Sequence, residues 1–258
     1  MTDDSLTAPP PAPSLPPEKP HPLPLRSLYP YLSHTDNALL RLNRILSTPA
    51  GFDAILATLS YTLQTYLALP HPSSASQTNP RLRSLASLLS SLRPALRLPA
   101  LLSIYAWARA TYLSPPASGV LRAIAWAQVV ANAAYLALEN GAYLAERGVL
   151  GWGKARRGRA EVWSARAWAV HVGLELGRLW VVRNGRDRGA GGEKARGGEE
   201  EAEDERKWWR EVGVNAAYAP LTLHWSVERG VVGEVWVGVL GSVAAVMGLV
   251  DVWREAAR

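Results

Sequence analysis

Apolar residues recur at helical spacing along most of this chain. Phe52, Ile55, Leu56, Leu59, Leu63, Tyr66 and Leu67 form one stripe at steps of 3, 1, 3, 4, 3 and 1. Thr48-Pro49 supplies an N-cap and a first helical position, and Pro70 supplies the stop. In the next stretch Leu82, Leu85, Leu88, Leu89, Leu92 and Leu96 occupy an arc of roughly 120° on a helical wheel. Arg83, Arg93 and Arg97 lie along one border of that arc, with Ser84, Ser87, Ser90 and Ser91 on the far side. Asn79-Pro80 starts this stretch, and Pro94 and Pro99 are expected to kink or interrupt it. A helix over Ala100 to Tyr112 continues it and ends at Pro115-Pro116.

Ser118 or Gly119 opens a longer helix that runs to about Arg147, with Gly148 as its C-cap. Ala123 to Leu138 within it carries no formal charge over 16 residues, short of the roughly 20 that span a bilayer. Gln128, Asn132 and Glu139, at steps of four and seven, share one face of this helix. Two readings of Glu139 stand here: a buried carboxylate in a permeation path, or an interfacial charge that snorkels or pairs with a nearby arginine. A basic loop (Lys154, Arg156, Arg157, Arg159) leads to a Trp-rich helix over Val162 to Val182. Val212 to Val227 and Val235 to Val250 are weakly charged helices, the latter apolar throughout. The stretch 231–253 is the best membrane-spanning candidate, and Gly238 with Ser242 and Gly241 with Ala245 would allow close helix contact. No strand pattern competes. The expected fold is all-α, a bundle of amphipathic and membrane-embedded helices.

Two segments interrupt that pattern. Residues 1–34 are proline-rich and read as a disordered arm, with order beginning between Ser33 and Asp36. Residues 184–207 are Gly, Glu and Arg with nearly balanced charge, and read as a flexible loop. The expected domain is therefore 35–258, with an amphipathic region at 79–113, a membrane-associated helix at 119–147 and a probable transmembrane helix at 231–253.

Composition removes several chemistries. The 258 residues contain no cysteine, which excludes disulfides, thiolate metal sites and thiol catalysis. The five histidines are scattered without metal-ligand spacing, so no metal, cofactor or catalytic group is expected, and no enzyme. Gly148 to Ala155 approximates a phosphate-binding P-loop, but a helix precedes it, Ala155 replaces the hydroxyl that binds magnesium, and Trp152 crowds the loop. A net charge of +6 allows either nucleic acid or acidic lipid as a partner. The absence of any acid from Pro80 to Leu138 favours an anionic membrane surface and no nucleic acid. Aromatics are lopsided, 11 Trp and 9 Tyr against 1 Phe, and Trp107, Trp126, Trp152, Trp163, Trp236 and Trp253 sit near the ends of apolar stretches, as an interfacial belt requires.

Several strings together resemble the peroxin-11 family of peroxisomal membrane proteins, closest to its fungal C-type branch. They are Leu42-Asn43-Arg44, Thr48 to Tyr61, Leu88 to Arg93, Leu96-Arg97-Leu98, Leu101 to Trp107, Trp126-Ala127-Gln128, Leu138 to Leu144 and Gly148-Val149-Leu150. The resemblance runs from about Asp36 to Trp253. It implies a non-enzymatic protein of the peroxisomal membrane that promotes membrane elongation and peroxisome division. It also implies a basic amphipathic helix that inserts into one leaflet, here Arg81 to Leu98, although Pro94 and Pro99 depart from a continuous helix. Self-association, with copies of itself or with family paralogues, and contact with the organelle fission machinery are implied as well. The alternative function is a pore-like channel for small metabolites, its polar face built from Gln128, Asn132 and Glu139.

Overall fold

The computed structural model describes residues 25–69, 80–189 and 198–256, with side chains described for 35–69, 80–185 and 201–256. Eight helices are present among the described residues, and no strand. They are α1 (Leu25–Leu46), α2 (Pro49–Ala68), α3 (Pro80–Arg97), α4 (Ala100–Leu113), α5 (Gly119–Glu146), α6 (Lys154–Gly189), α7 (Gly198–Trp225) and α8 (Glu234–Glu255). The all-α expectation holds.

The chain divides into two compact units, Met1–Leu40 and Arg41–Arg258. In the first unit the described part is helical from Leu25, inside the stretch expected to be an arm; the remainder of that arm lies outside the described residues. The second unit holds the bundle. There α2 packs on α3 and α8, α8 on α7, α7 on α6, α6 on α5, and α5 on α3, which closes a circuit of six helices. Helix α4 attaches beside it, against α5 and α3.

The helix boundaries follow from local chemistry. Thr48 accepts the Gly51 amide at 3.1 Å through its hydroxyl, and Pro49 follows as the first helical residue. Ser118 caps α5 by accepting the Leu121 amide. The end of α5 is a full C-terminal turn: the Gly148 amide reaches the Ala145 carbonyl at 3.2 Å and the Val149 amide the Leu144 carbonyl at 2.9 Å. That pattern needs a left-handed residue, and Gly148 has φ 77°. Gly148 to Gly153 is thus a helix ending and a turn. Helix α3 passes through Pro94 without ending, and the break comes at Leu98, with Pro99 capping α4. The Asn79 cap expected for α3 lies outside the described residues.

The Gly/Glu/Arg segment is shorter as a loop than its composition suggests. Helix α6 runs on to Gly189 and α7 starts at Gly198, leaving 190–197 outside the described residues. Two causes support this. Glutamates in the first turns of α7 are favoured by the helix dipole, and Arg183 of α6 forms an ion pair with Glu205 of α7. The Trp208 indole also donates to the Leu179 carbonyl at 3.1 Å, tying the two helices side by side.

The seam between α2 and α8 is the tightest. Gly241 lies against the Tyr61 ring and Gly238 against the Thr65 backbone, and a Cβ at either glycine would collide. Thr65 and Ser242 meet through their hydroxyls at 3.2 Å, and Ala57, Tyr61 and Ala245 form a small core with Trp225 packed on it. The small residues expected to allow close helix contact do so, against α2.

Candidate functional site

A partly open cavity of about 500 Å³ lies between α2, α3, α5, α6 and α7. Its charged wall is a four-residue network. Arg93 of α3 donates from Nε to Asp53 Oδ1 of α2 at 2.9 Å. Arg97, one turn on, grips Glu139 of α5 in a two-pronged pair, Nε and Nη2 each 2.7 Å from a carboxylate oxygen. Its Nη1 also lies 3.5 Å from Asp53 Oδ1, so the two pairs share a carboxylate. The Tyr135 hydroxyl donates to Glu139 at 3.2 Å. All four charged side chains are at most 25% exposed, which makes them inter-helix clasps instead of surface ions. Burial alone would lower the Arg93 guanidinium pKa, but Tyr61 and the Asp53 carboxylate outweigh it and raise the value.

The opposite wall is aromatic. Trp168 of α6 stacks between Tyr135 (centroids 5.9 Å apart) and Trp225 (5.7 Å), with Tyr218 tilted against it at 5.3 Å. Burial pushes the Tyr218 phenol up to about 12.

A second polar seam joins α5 to α6 and α7. Gln128 is 3% exposed and donates to Glu175 at 2.6 Å. Asn132 Nδ2 sits 2.8 Å from His171 Nδ1. Arg178 bridges Glu175 at 2.6 Å and Glu211 of α7 at 2.8 Å. Gln128, Asn132 and Glu139 thus do share a face, and that face turns into the bundle. Glu139 is paired with Arg97 and lines the cavity.

Helix α3 carries the opposite arrangement on its outside. Leu85, Leu88 and Leu92 are 44%, 55% and 39% exposed and line up at steps of three and four. Leu82, Leu89 and Leu96 are half-buried, and Ala86 is buried against the bundle. The sequence placed Arg93 and Arg97 at the edge of the leucine arc, ready for lipid phosphate. Here both are turned inward to carboxylates at least 40 residues away in the chain, whereas Arg83 is on the exposed side. Among the described residues no group of histidine and carboxylate side chains could hold a metal ion.

Helices α5 and α8 are the two among the described residues long and apolar enough to cross a membrane. Only 22% of each apolar window is buried in the bundle, and the rest is half-buried or exposed. Of the six tryptophans expected at an interface, Trp126, Trp163 and Trp236 are exposed. The other three pack on protein: Trp107 edge-on to His171, Trp152 under Arg156 and Trp253 under Arg41.

Asp53, Trp168, Trp225 and the Glu175–Arg178–Glu211 set were not singled out from the sequence. One signal for Asp53 was there. It is the sole charged residue of α2, and every charged residue of α3 is an arginine.

A family model described as Peroxisomal biogenesis factor 11 (PEX11) matches residues 39–253. "Uncharacterized protein C1F12.04c" of Schizosaccharomyces pombe is 28% identical over 207 residues, which cover 80% of this chain and 90% of that protein. No solved structure matches.

Proposed function

The chain belongs to the PEX11 family and is a protein of the peroxisomal membrane, and from that premise we propose that it elongates this membrane ahead of organelle division, without enzymatic chemistry. The observation that carries the reading is the outward leucine stripe Leu85, Leu88 and Leu92 on a helix whose inner face is fastened by ion pairs. Inserted into one leaflet, the stripe adds area there and bends the sheet of lipid. Moving three half-exposed leucines into acyl chains gains on the order of 3 kcal/mol per chain, enough to matter when many copies act together. Anionic phospholipid is the proposed surface, with Leu82, Leu89 and Leu96 backing the stripe and Arg83 at the headgroup level. Arg93 and Arg97 act one step back, by holding α3 in the orientation that presents the leucines. Copies of this chain or its paralogues, and the fission machinery, are the proposed partners.

The test is reconstitution of the full chain into anionic liposomes viewed by electron microscopy. The parent should draw tubules, and a variant with Leu85, Leu88 and Leu92 all changed to Ser should insert equally but leave vesicles round. Tubules of equal length from both would refute the mechanism.

One observation favours a second reading, a metabolite pore: the polar and aromatic cavity between the helices. Conductance in planar bilayers, altered in ion selectivity by Glu139→Gln, would support it; a silent, demonstrably inserted protein would remove it.

A further inference from the structure

On the outside of the α5–α6 hairpin lies a groove of about 560 Å³ that differs in kind from the cavity. Alanines of both helices, Ala131 and Ala167, lie along it, and Trp126, Val130, Trp163 and Val170 rise beside them. Those last four are 37%, 66%, 57% and 57% exposed, so the groove opens outward. It extends along α5 from Trp126 to Leu138, about 18 Å at 1.5 Å per residue, a length that suits an extended hydrocarbon chain.

The groove carries a basic residue beside Trp163. Arg166 lines it, with its guanidinium 4.8 Å from the centre of the Trp163 ring and its Nε donating to the Ser226 carbonyl at 3.2 Å. Arg159, Trp163, Arg166 and Val170 follow at steps of four, three and four, which brings them to one face of α6. Both arginines are exposed, and no carboxylate belongs to that set. An apolar trough lined by one cation, Arg166, with a second, Arg159, one helical turn before Trp163 on the same face, has the charge and shape of a lipid tail attached to a phosphate. It is also continuous with the outward apolar surface of α5, one of the two helices apolar enough to cross a bilayer.

We propose that the α5–α6 groove is a binding site for an anionic phospholipid, with one acyl chain laid between Trp126 and Trp163 and the phosphate held by Arg159 and Arg166. The site is separate from the α3 leucine stripe. Lipid would occupy it whether or not α3 deforms the membrane, so it goes beyond the function proposed above.

The experiment uses the full chain in mild detergent, mixed with equal amounts of phosphatidic acid and phosphatidylcholine and examined by native mass spectrometry. One phosphatidic acid should be retained per chain in preference to phosphatidylcholine, and excess inorganic phosphate should not displace it. Arg159→Gln with Arg166→Gln should weaken retention on the order of thirtyfold, while Arg159→Lys with Arg166→Lys should keep most of it. Ala134→Trp, at an exposed position lining the groove, should block both lipids while the helical circular dichroism stays that of the parent. Equal retention of the two lipids by the parent would overturn the proposal. So would retention of phosphatidic acid by Ala134→Trp, or a parent dimer that this variant abolishes in the absence of lipid. Tubulation is not read in this assay, so its failure and that of the α3 mechanism are distinguishable.

Discussion

At the scale of single residues the Arg97–Glu139 pair bears most on the fold, because it joins α3 to α5 across 42 residues of sequence. Removing one partner leaves a largely buried charge with no counter-ion, so Arg97→Gln should cost about 2 kcal/mol. Adding Glu139→Gln replaces the stranded carboxylate with an amide and should recover most of that loss, which a double-mutant cycle of thermal unfolding would read. Losses from the two single variants that simply add in the double variant would show the pair to be energetically idle. The seam at His171 responds to pH instead. Burial pushes its imidazole below the ordinary 6.5, with Glu175 pulling weakly the other way. Burial would raise Glu175, but hydrogen bonds from Arg178 and Gln128 and the nearby cations hold it below 4.5. Both folded values are depressed, so the unfolded chain takes up more protons and acid favours unfolding. The His171 contribution is complete above 6.5 and is lost as pH falls through that value towards the folded one. The melting temperature should therefore fall between pH 7 and pH 5 more steeply for the parent than for His171→Gln. The reach of sequence reasoning is also plain at these residues. One of the two readings of Glu139 allows an arginine partner, but nothing in spacing identifies Arg97, because the pairing is made by packing of helices distant in the chain. Asp53 was visible as a lone charge in an apolar helix, yet its meaning depends on facing α3.

At the scale of elements, the boundaries that could be read in advance are those written in cap chemistry. Thr48-Pro49, Ser118 and Gly148 each place a helix end through a hydrogen bond local to that end. The start of α7 could not be read this way. Its Gly and Glu residues have no apolar stripe, and the helix gains support only where Glu205 meets Arg183 and Trp208 meets α6. Helix α3 shows a different limit. Its wheel shows the spacing of the leucines but not which edge faces the protein, since a wheel carries no information about neighbours. The α2–α8 seam offers a test with an internal control. A Cβ on Gly241 would enter the Tyr61 ring, whereas one on Gly248 of the same helix meets nothing within 4 Å. Gly241→Ala should therefore cost about 2 kcal/mol by overpacking, and Gly248→Ala should gain about 0.5–1 kcal/mol from helix propensity. Thermal unfolding of the two variants should shift in opposite directions.

At the scale of the whole molecule, the proposed anchoring and the proposed remodelling fall on different parts of the circuit. The leucine stripe of α3 is short and interrupted by serines, so it cannot hold the protein in a bilayer against extraction. Helix α8 can. It packs Gly238, Gly241, Ala244 and Ala245 inward and shows Trp236, Val243, Val246 and Val250 outward, at 61%, 45%, 46% and 39% exposure. Its outer positions between Trp236 and Val250 carry no charge, whereas the inner faces of α2, α3 and α5 do. Along this flank the outward surface is apolar and uncharged, as contact with lipid requires. If lipid covers α8, a positive charge placed on its outer face has to leave the hydrocarbon or drag water in, at about 3 kcal/mol for each arginine near the middle of a span. Val243→Arg with Val246→Arg should then move the protein from the carbonate-resistant pellet to the supernatant, while the Leu85, Leu88 and Leu92 serine variant stays in the pellet and loses only elongation. Because the substituted valines already face outward, the fold should survive, and helical circular dichroism of the extracted protein would verify it. Retention of the double arginine variant in the pellet would mean that α8 is not the anchor, and would shift that role to the outward face of α5.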